Sequence, residues 1–231
     1  MLAMETLRTF IAIELDDARR AALAEIETRL QREAVARAIR WVPPENIHLT
    51  LKFLGEVDAA RIPTLHRAVA EALVDHAPFS LTIGGVGAFP NTRRPNVVWV
   101  GVRGQVEAAA RLAESIETAC AALGFAREAR AFTPHLTLGR VKRDASPSER
   151  QRIGALIEQA RIGELGEWRV ERVSIMKSDL QPGGSVYTRL AECALSLDFA
   201  PAHLDKPTGQ SDTQDHADSY YLGKGAKARL R

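Results

Sequence analysis

The tetrapeptide His-Leu-Thr-Leu occurs twice in this chain, at residues 48–51 and 135–138, and a strand-like motif written twice restricts the fold more than any other feature of the sequence. Both copies sit in runs that read as strands, Ile47–Leu54 and Thr133–Val141, where successive side chains point to opposite faces. In the first run His48, Thr50 and Lys52 share one face, and Ile47, Leu49, Leu51 and Phe53 share the other. In the second, His135 and Thr137 separate from Leu136 and Leu138 in the same way. Each strand would bury its leucines under helices and present His and Thr to a cleft. If two similar lobes face one another, two imidazoles and two hydroxyls come to one place.

The rest of the composition supports a globular chain around that repeat. Of 231 residues, 45% are hydrophobic and 26% charged, enough apolar side chain for a sizeable core. Thirty-one basic and 29 acidic residues are mostly interspersed, which excludes a polycationic nucleic-acid coat but leaves room for a local phosphate site. Cys120 and Cys193 are too few for a disulfide framework and form no Cys-x-x-Cys pair, which favours a reducing, cytoplasmic compartment. There is no apolar run long enough to span a membrane, and the N-terminal MLAMETLRTF lacks an export pattern. Near residue 200 the composition shifts. Residues 1–200 read as the folded domain and 201–231 as a polar, flexible tail, too poor in branched apolar residues to offset its ordering entropy.

Within the first 200 residues strands and helices alternate without the regular rhythm of a doubly wound sheet, so the expected class is α+β with antiparallel sheets. The opening run Leu7–Leu15 alternates as a strand. Asp16 or Asp17 caps a helix expected to reach Arg40, with Leu23, Ile26, Leu30 and Ala34 at helical spacing. Further helices are expected at Ala59–His76, Gln105–Leu123 and Ser146–Arg161, and strands at Phe79–Phe89, Asn96–Val102, Ala126–Ala131, Trp168–Leu180 and Ser185–Phe199. QPGGS joins the last two as a hairpin turn, Gly55 closes the first motif strand, and Gly84–Gly87 marks a bulged or bent strand rather than a phosphate-cradling loop.

Two imidazoles and two hydroxyls on one spot suit hydrolysis or transesterification of a phosphate ester. One neutral ring takes a proton from the attacking group and one protonated ring gives a proton to the leaving oxygen. The hydroxyls of Thr50 and Thr137 donate to non-bridging phosphate oxygens. No cofactor is required, and no third ligand at a familiar spacing supports a zinc site. The alternative for either motif alone is a strand histidine satisfied by its neighbours.

With these residues in view, the chain resembles the two-histidine phosphoesterases, in particular the RNA 2′,3′-cyclic phosphodiesterase branch, also called 2′-5′ RNA ligase. The resemblance runs over residues 7–199 through RTFIAIEL, WVPPENIHLTLKFLGEV, FTPHLTLGRV and KSDLQPGGSVYTRL. It implies a bilobal fold with pseudo-twofold symmetry and a central cleft. It also implies hydrolysis of RNA 2′,3′-cyclic phosphate ends to 2′-phosphomonoesters, with weak reverse joining. The expected partners are RNA ends or 2′,3′-cyclic nucleotides, and the expected state is a monomer. By that analogy His48 is the proton donor and His135 the acceptor, an order the near-identical motifs do not themselves provide.

Several further residues are candidates for substrate contact. Arg8 and Phe10 share a face of the opening strand, the arginine to attract phosphate and the ring to stack on a base. Lys52 shares the parity of His48. Arg140 has the wrong parity for the cleft unless a bulge at Gly139 re-aims it. Tyr187 follows the hairpin turn and matches a tyrosine recurrent in the family. His66, His76, His203 and His216 are expected bystanders. Competing functions are a phosphodiesterase for another substrate, such as a 2′-5′ oligonucleotide or a cyclic nucleotide diphosphate, and a binding module for RNA ends without turnover.

Overall fold

A computed structural model describes residues 5–182 and 184–196. In chain order the elements are β1 (Thr6–Glu14), α1 (Asp17–Gln31), β2 (Ile39–Trp41), β3 (His48–Asp58), α2 (Ile62–Ala72), β4 (Phe79–Phe89), β5 (Val97–Gly104), α3 (Val106–Ala122), β6 (His135–Val141), α4 (Pro147–Gln159), β7 (Glu167–Val170), β8 (Arg172–Gln181) and β9 (Gly184–Ala194). They form two antiparallel sheets, β3-β1-β8-β9 and β2-β6-β5-β4-β7. This is the expected α+β class. The tail expected at 201–231, and with it His203 and His216, lies outside the described residues, as do positions 197–199 of the last predicted strand.

The sheets show why the motif is repeated. In register, β1 opposes β3 as Phe10–Phe53, Ile11–Lys52, Ala12–Thr50, Ile13–Leu49 and Glu14–His48. β5 opposes β6 as Val97–Arg140, Val98–Gly139, Trp99–Thr137, Val100–Leu136 and Gly101–His135. The two ladders match position for position. The third strand of each set comes from the opposite half of the chain, however: β8 pairs with β1, and β4 pairs with β5. Each half of the sequence thus completes the other's sheet.

Leu49, Leu136 and Leu138 are buried with Ile11, Ile13, Ile83 and Val100 in one cluster, joined by Leu23 and Ile26 of α1, Leu65 and Val69 of α2, and Leu112 and Ile116 of α3. A second cluster sets Ile153 and Ile157 of α4 against Ile39, Ala88, Val98 and Val141. Each fully buried aliphatic side chain of this kind contributes roughly 1.5–3 kcal/mol. The helix starts follow the sequence closely: Asp16 accepts a bond from the Arg19 amide at 2.9 Å, and Ser146 with Glu149 forms a capping box.

Four expectations are corrected. α1 stops at Gln31, and Ile39–Trp41, placed in the helix by spacing alone, pairs with β6 instead, because Ile39 gains a buried site there. The predicted Ala126–Ala131 strand is irregular: its backbone bonds side chains rather than a ladder, Ala126 accepting from Lys52 and the Glu128 amide donating to Glu117. Trp168–Leu180 is two strands in different sheets, β7 beside β4 and β8 beside β1. Gly55 does not end β3. It adopts φ +73° next to a register shift, and the strand continues to Asp58. Gly84–Gly87 is bulged as expected, with Gly85 at φ +71° and the β4–β5 register shifting between Gly84 and Val86.

Candidate active site

β3 and β6 pack against each other where the two sheets meet, and the imidazoles of His48 and His135 are close enough for their charges to interact. The rings are held alike. Nδ1 of His48 lies 2.8 Å from the Asn46 carbonyl, and Nδ1 of His135 lies 2.7 Å from the Thr133 carbonyl. A carbonyl only accepts, so Nδ1 carries the hydrogen in both rings and Nε2 is the nitrogen left for chemistry. Asn46 is itself tied to the β9 end by a 2.7 Å bond from its side-chain amide to the Ser185 carbonyl.

The ring environments differ. His48 stacks on Phe10 at 4.7 Å between centroids and meets the edge of Tyr187 at 5.2 Å. His135 meets Phe89 edge-on at 4.8 Å. Burial pushes His48 down to about 4, against its bond to Asn46 and the attraction of Glu14. His135 is also lowered, first by burial and then by the charge of Arg140, with its Thr133 bond acting the other way. Thr50 and Thr137 lie on the same faces as their histidines, opposite Ala12 and Trp99 respectively.

Both motif strands carry a bulge at the last residue of the tetrapeptide. Between Thr50 and Lys52 the β1–β3 register skips Leu51, and between Thr137 and Gly139 the β5–β6 register skips Leu138. An extra residue reverses the alternation beyond it. The consequence for Lys52 corrects its expected place: it turns into the core, 4% exposed, where Nζ bonds both oxygens of Glu117 at 2.8 Å and the Ala126 carbonyl at 2.9 Å. Phe53 comes round to the cleft face in its stead, 62% exposed and 6.0 Å from Phe10. On β6 the same bulge satisfies the condition set for Arg140, which joins the face of His135.

The other candidates divide. Tyr187 lines a pocket of about 160 Å³ beside His48 together with Glu14, Arg20 and Arg189. Phe10 is at the site but 2% exposed, a support beneath His48 rather than a free stacking surface. Arg8 is exposed, two residues farther out on β1. His66 and His76 are bystanders, held by the Glu192 carbonyl and the Ser115 hydroxyl.

Sequence reasoning missed Glu14, Arg189, Phe53, Phe89 and Trp99. Glu14 faces His48 in register, and Arg189 bonds both its oxygens, at 2.7 and 3.2 Å. Its carboxyl is held below the usual range: burial opposes ionisation, but bonds from Arg189 and Ser174 and the charges of Arg189 and Arg20 outweigh it. Parity with Phe10 and Ala12 along β1 was the available signal for Glu14. Trp99 opposes Thr137, and its indole nitrogen is buried with no partner among the described residues. No cluster of metal-ligating side chains occurs among the described residues.

The model of the family LigT like Phosphoesterase matches residues 13–99 and again 100–187, one match for each half of the internal symmetry. The chain belongs to this family. A LigT-like relative from Methanothermobacter thermautotrophicus, named RNA 2′,3′-cyclic phosphodiesterase, is 36% identical over 79% of this chain and 95% of its own length. One of the same name from Archaeoglobus fulgidus is 35% identical over 80% and 98%. Among solved LigT-like structures, a Thermus thermophilus protein superposes with a TM-score of 0.66 at 31% identity, covering 82% of this chain and 98% of that one. Escherichia coli LigT complexed with 3′-AMP gives 0.65 at 29% identity, covering 83% and 99%. The match takes in both His-Leu-Thr-Leu motifs and ends at residue 187, before the polar C-terminal segment.

Proposed function

We propose that this protein hydrolyses RNA 2′,3′-cyclic phosphate ends to 2′-phosphomonoesters by two-histidine acid–base catalysis. The observation that carries the reading is the duplicated geometry: two imidazoles, each locked through Nδ1 to the carbonyl two residues back, beside two threonines on facing strands. The names borne by the relatives agree with it.

In the proposed step, Nε2 of His135 takes a proton from water as the water oxygen bonds to phosphorus. The bond from phosphorus to the ribose 3′ oxygen breaks, and Nε2 of His48 delivers a proton to that oxygen. Thr50 and Thr137 donate to the non-bridging oxygens, with Arg140 supplying positive charge near His135. The fixed charges favour this order of roles. Glu14 stabilises a cation at His48, whereas Arg140 disfavours one at His135. Burial opposes protonation of His48 in the free protein, and the bound phosphate anion offsets that cost. With the 5′ hydroxyl of a second RNA in place of water, the same step joins a 2′-5′ bond: Nε2 of His135 takes the hydroxyl proton, the 5′ oxygen bonds to phosphorus, and the bond to the ribose 3′ oxygen breaks as before. Action as a monomer in the cytoplasm is part of the proposal; the two free, buried cysteines fit a reducing compartment.

The test is a product assay on cyclic mononucleotides and short RNAs, with 2′- and 3′-monoesters resolved, using the wild type and the His48→Ala and His135→Ala proteins. Formation of the 2′-monoester, with turnover down at least about 100-fold in each single variant and little further in the double, is the expected result. A 3′-monoester product, or near-normal turnover by either variant, overturns the scheme.

A further inference from the structure

Arg40 stands directly opposite Arg140 in the β2–β6 ladder. Like charges at directly opposed positions destabilise an antiparallel pair. Neither guanidinium has an ion pair or hydrogen bond among the described residues that would relieve the repulsion. The neighbouring pair, Ile39 and Val141, points into the cluster under α4. Alternation therefore puts Arg40 and Arg140 on the other face, that of His135 and Thr137, where both are exposed. The β4–β5 turn carries exposed Arg93 and Arg94 and adjoins the same strand end, the Asn96 carbonyl accepting from the Val141 amide at 2.9 Å.

The first sheet has no counterpart among the described residues. Phe53 stands where Arg140 does, and β3 is an edge strand with nothing in the place of β2. The two ends of the cleft therefore differ in character, with an exposed ring at one lobe and two cations, unpaired among the described residues, at the other. The reacting phosphate is already served by two imidazoles and two hydroxyls, with one guanidinium, Arg140, beside it, so the pair of Arg40 and Arg140 has positive charge left for a second, neighbouring anion.

We propose that Arg40, with Arg140, seats a second phosphate of the substrate strand: the phosphodiester that links the cyclic-phosphate nucleoside to its 5′ neighbour. This rests on the reading of the cleft as a cyclic-phosphate site. An anion between the two guanidiniums turns their mutual repulsion into two charge-assisted attractions, which explains why an edge strand tolerates the pair.

The test measures kcat/KM for the wild type, Arg40→Gln and Arg40→Lys on adenosine 2′,3′-cyclic phosphate, on a dinucleotide ending in a 2′,3′-cyclic phosphate, and on that dinucleotide with an uncharged methylphosphonate linkage. The wild type is expected to prefer the charged dinucleotide over the neutral one by about tenfold, the size of one charged hydrogen bond. Arg40→Gln should reduce the preference to about twofold or less, with Arg40→Lys keeping most of it. The slope of log kcat/KM against log salt on the charged dinucleotide should become shallower by about 0.7 in Arg40→Gln. Its Tm should be no lower than that of the wild type, since a repulsion is removed.

An unchanged preference in Arg40→Gln, or an equal loss on all three substrates, overturns the proposal. Should the wild type turn over none of the three, the catalytic reading fails instead. The phosphate seat is then decided by anisotropy titration with fluorescent dinucleotide 2′-phosphates, charged and methylphosphonate. A binding difference that does not depend on Arg40 sinks it.

Discussion

His48 and His135 share a backbone setting yet differ in their neighbours, and that difference is where the chemistry of each residue is set. His48 lies between Phe10 and Tyr187 with Glu14 opposite, and burial holds it at about 4. Its folded-state value is thus below its unfolded one, so the native state binds this proton less well than the unfolded chain. Stability from this group is present above about 6.5, the unfolded value, and is lost as pH falls towards the folded value of about 4. The expected outcome is that stability measured by urea unfolding declines over that window and that His48→Gln flattens the decline. An NMR titration of the ring nitrogens should show His48 titrating near 4 in the free protein and moving upward when a 2′-nucleotide is added. A ring that titrates near 6.5 in the free protein would contradict the burial described here. At the same scale, Thr50→Val and Thr137→Val remove a donor at nearly constant volume. Each should lower kcat by about 10- to 1,000-fold if the hydroxyl acts in the transition state, with little change in urea midpoint. Normal kcat in both would return the threonines to the role of sheet residues.

The motif strand as an element does more than alternate. Its bulge at the final leucine separates two side chains that sequence parity assigns wrongly, Lys52 and Arg140. It sends Lys52 into a buried pair with Glu117 and brings Arg140, and in the other lobe Phe53, to the cleft. A buried ion pair is costly to break because the remaining partner is left uncompensated. Lys52→Ala is therefore expected to reduce unfolding free energy by about 3–5 kcal/mol, measured in urea. A loss under about 1 kcal/mol would mean that Glu117 reaches solvent without its partner. Gly139 occupies the position equivalent to Lys52. A Cβ there would come within 2.6 Å of Ile39, so the close approach of β2 to β6 depends on glycine, whereas β3 carries a lysine at this position and has no second neighbour among the described strands.

On the scale of the whole molecule, the halves of the sequence are not the halves of the structure. β4 belongs by chain order to the first half but pairs with β5, while β8 belongs to the second and pairs with β1. Fragments cut between Trp99 and Val100, within β5, should each fail to fold alone: the first would leave β1 without β8 and β4 without most of β5, and the second would leave β8 without β1 and β5 without β4, all as unpaired edges. Mixed together, they should recover the circular dichroism and activity of the intact chain. Independent folding of either fragment would show that the exchanged strands contribute little.

The chain itself determined the class, the duplication, a helix start at Asp16 or Asp17 and another at Ser146, and the choice of His48, Thr50, His135 and Thr137 as candidates. These are legible because capping, alternation and a repeated motif are local patterns, each carried by a few neighbouring residues. The places where local reading failed share one cause. Ile39–Trp41 left a plausible helix for a buried strand site, Trp168–Leu180 divided between two sheets, and Lys52 exchanged faces with Phe53 across a bulge. Each outcome depends on a partner distant in sequence: β6 for β2, β4 and β1 for β7 and β8, and Glu117 for Lys52. The placement of Glu14 against His48, and of Arg40 against Arg140, was likewise decided by register between strands. Register is a property of two segments together, fixed by burying one face of each, and no single stretch of sequence contains it.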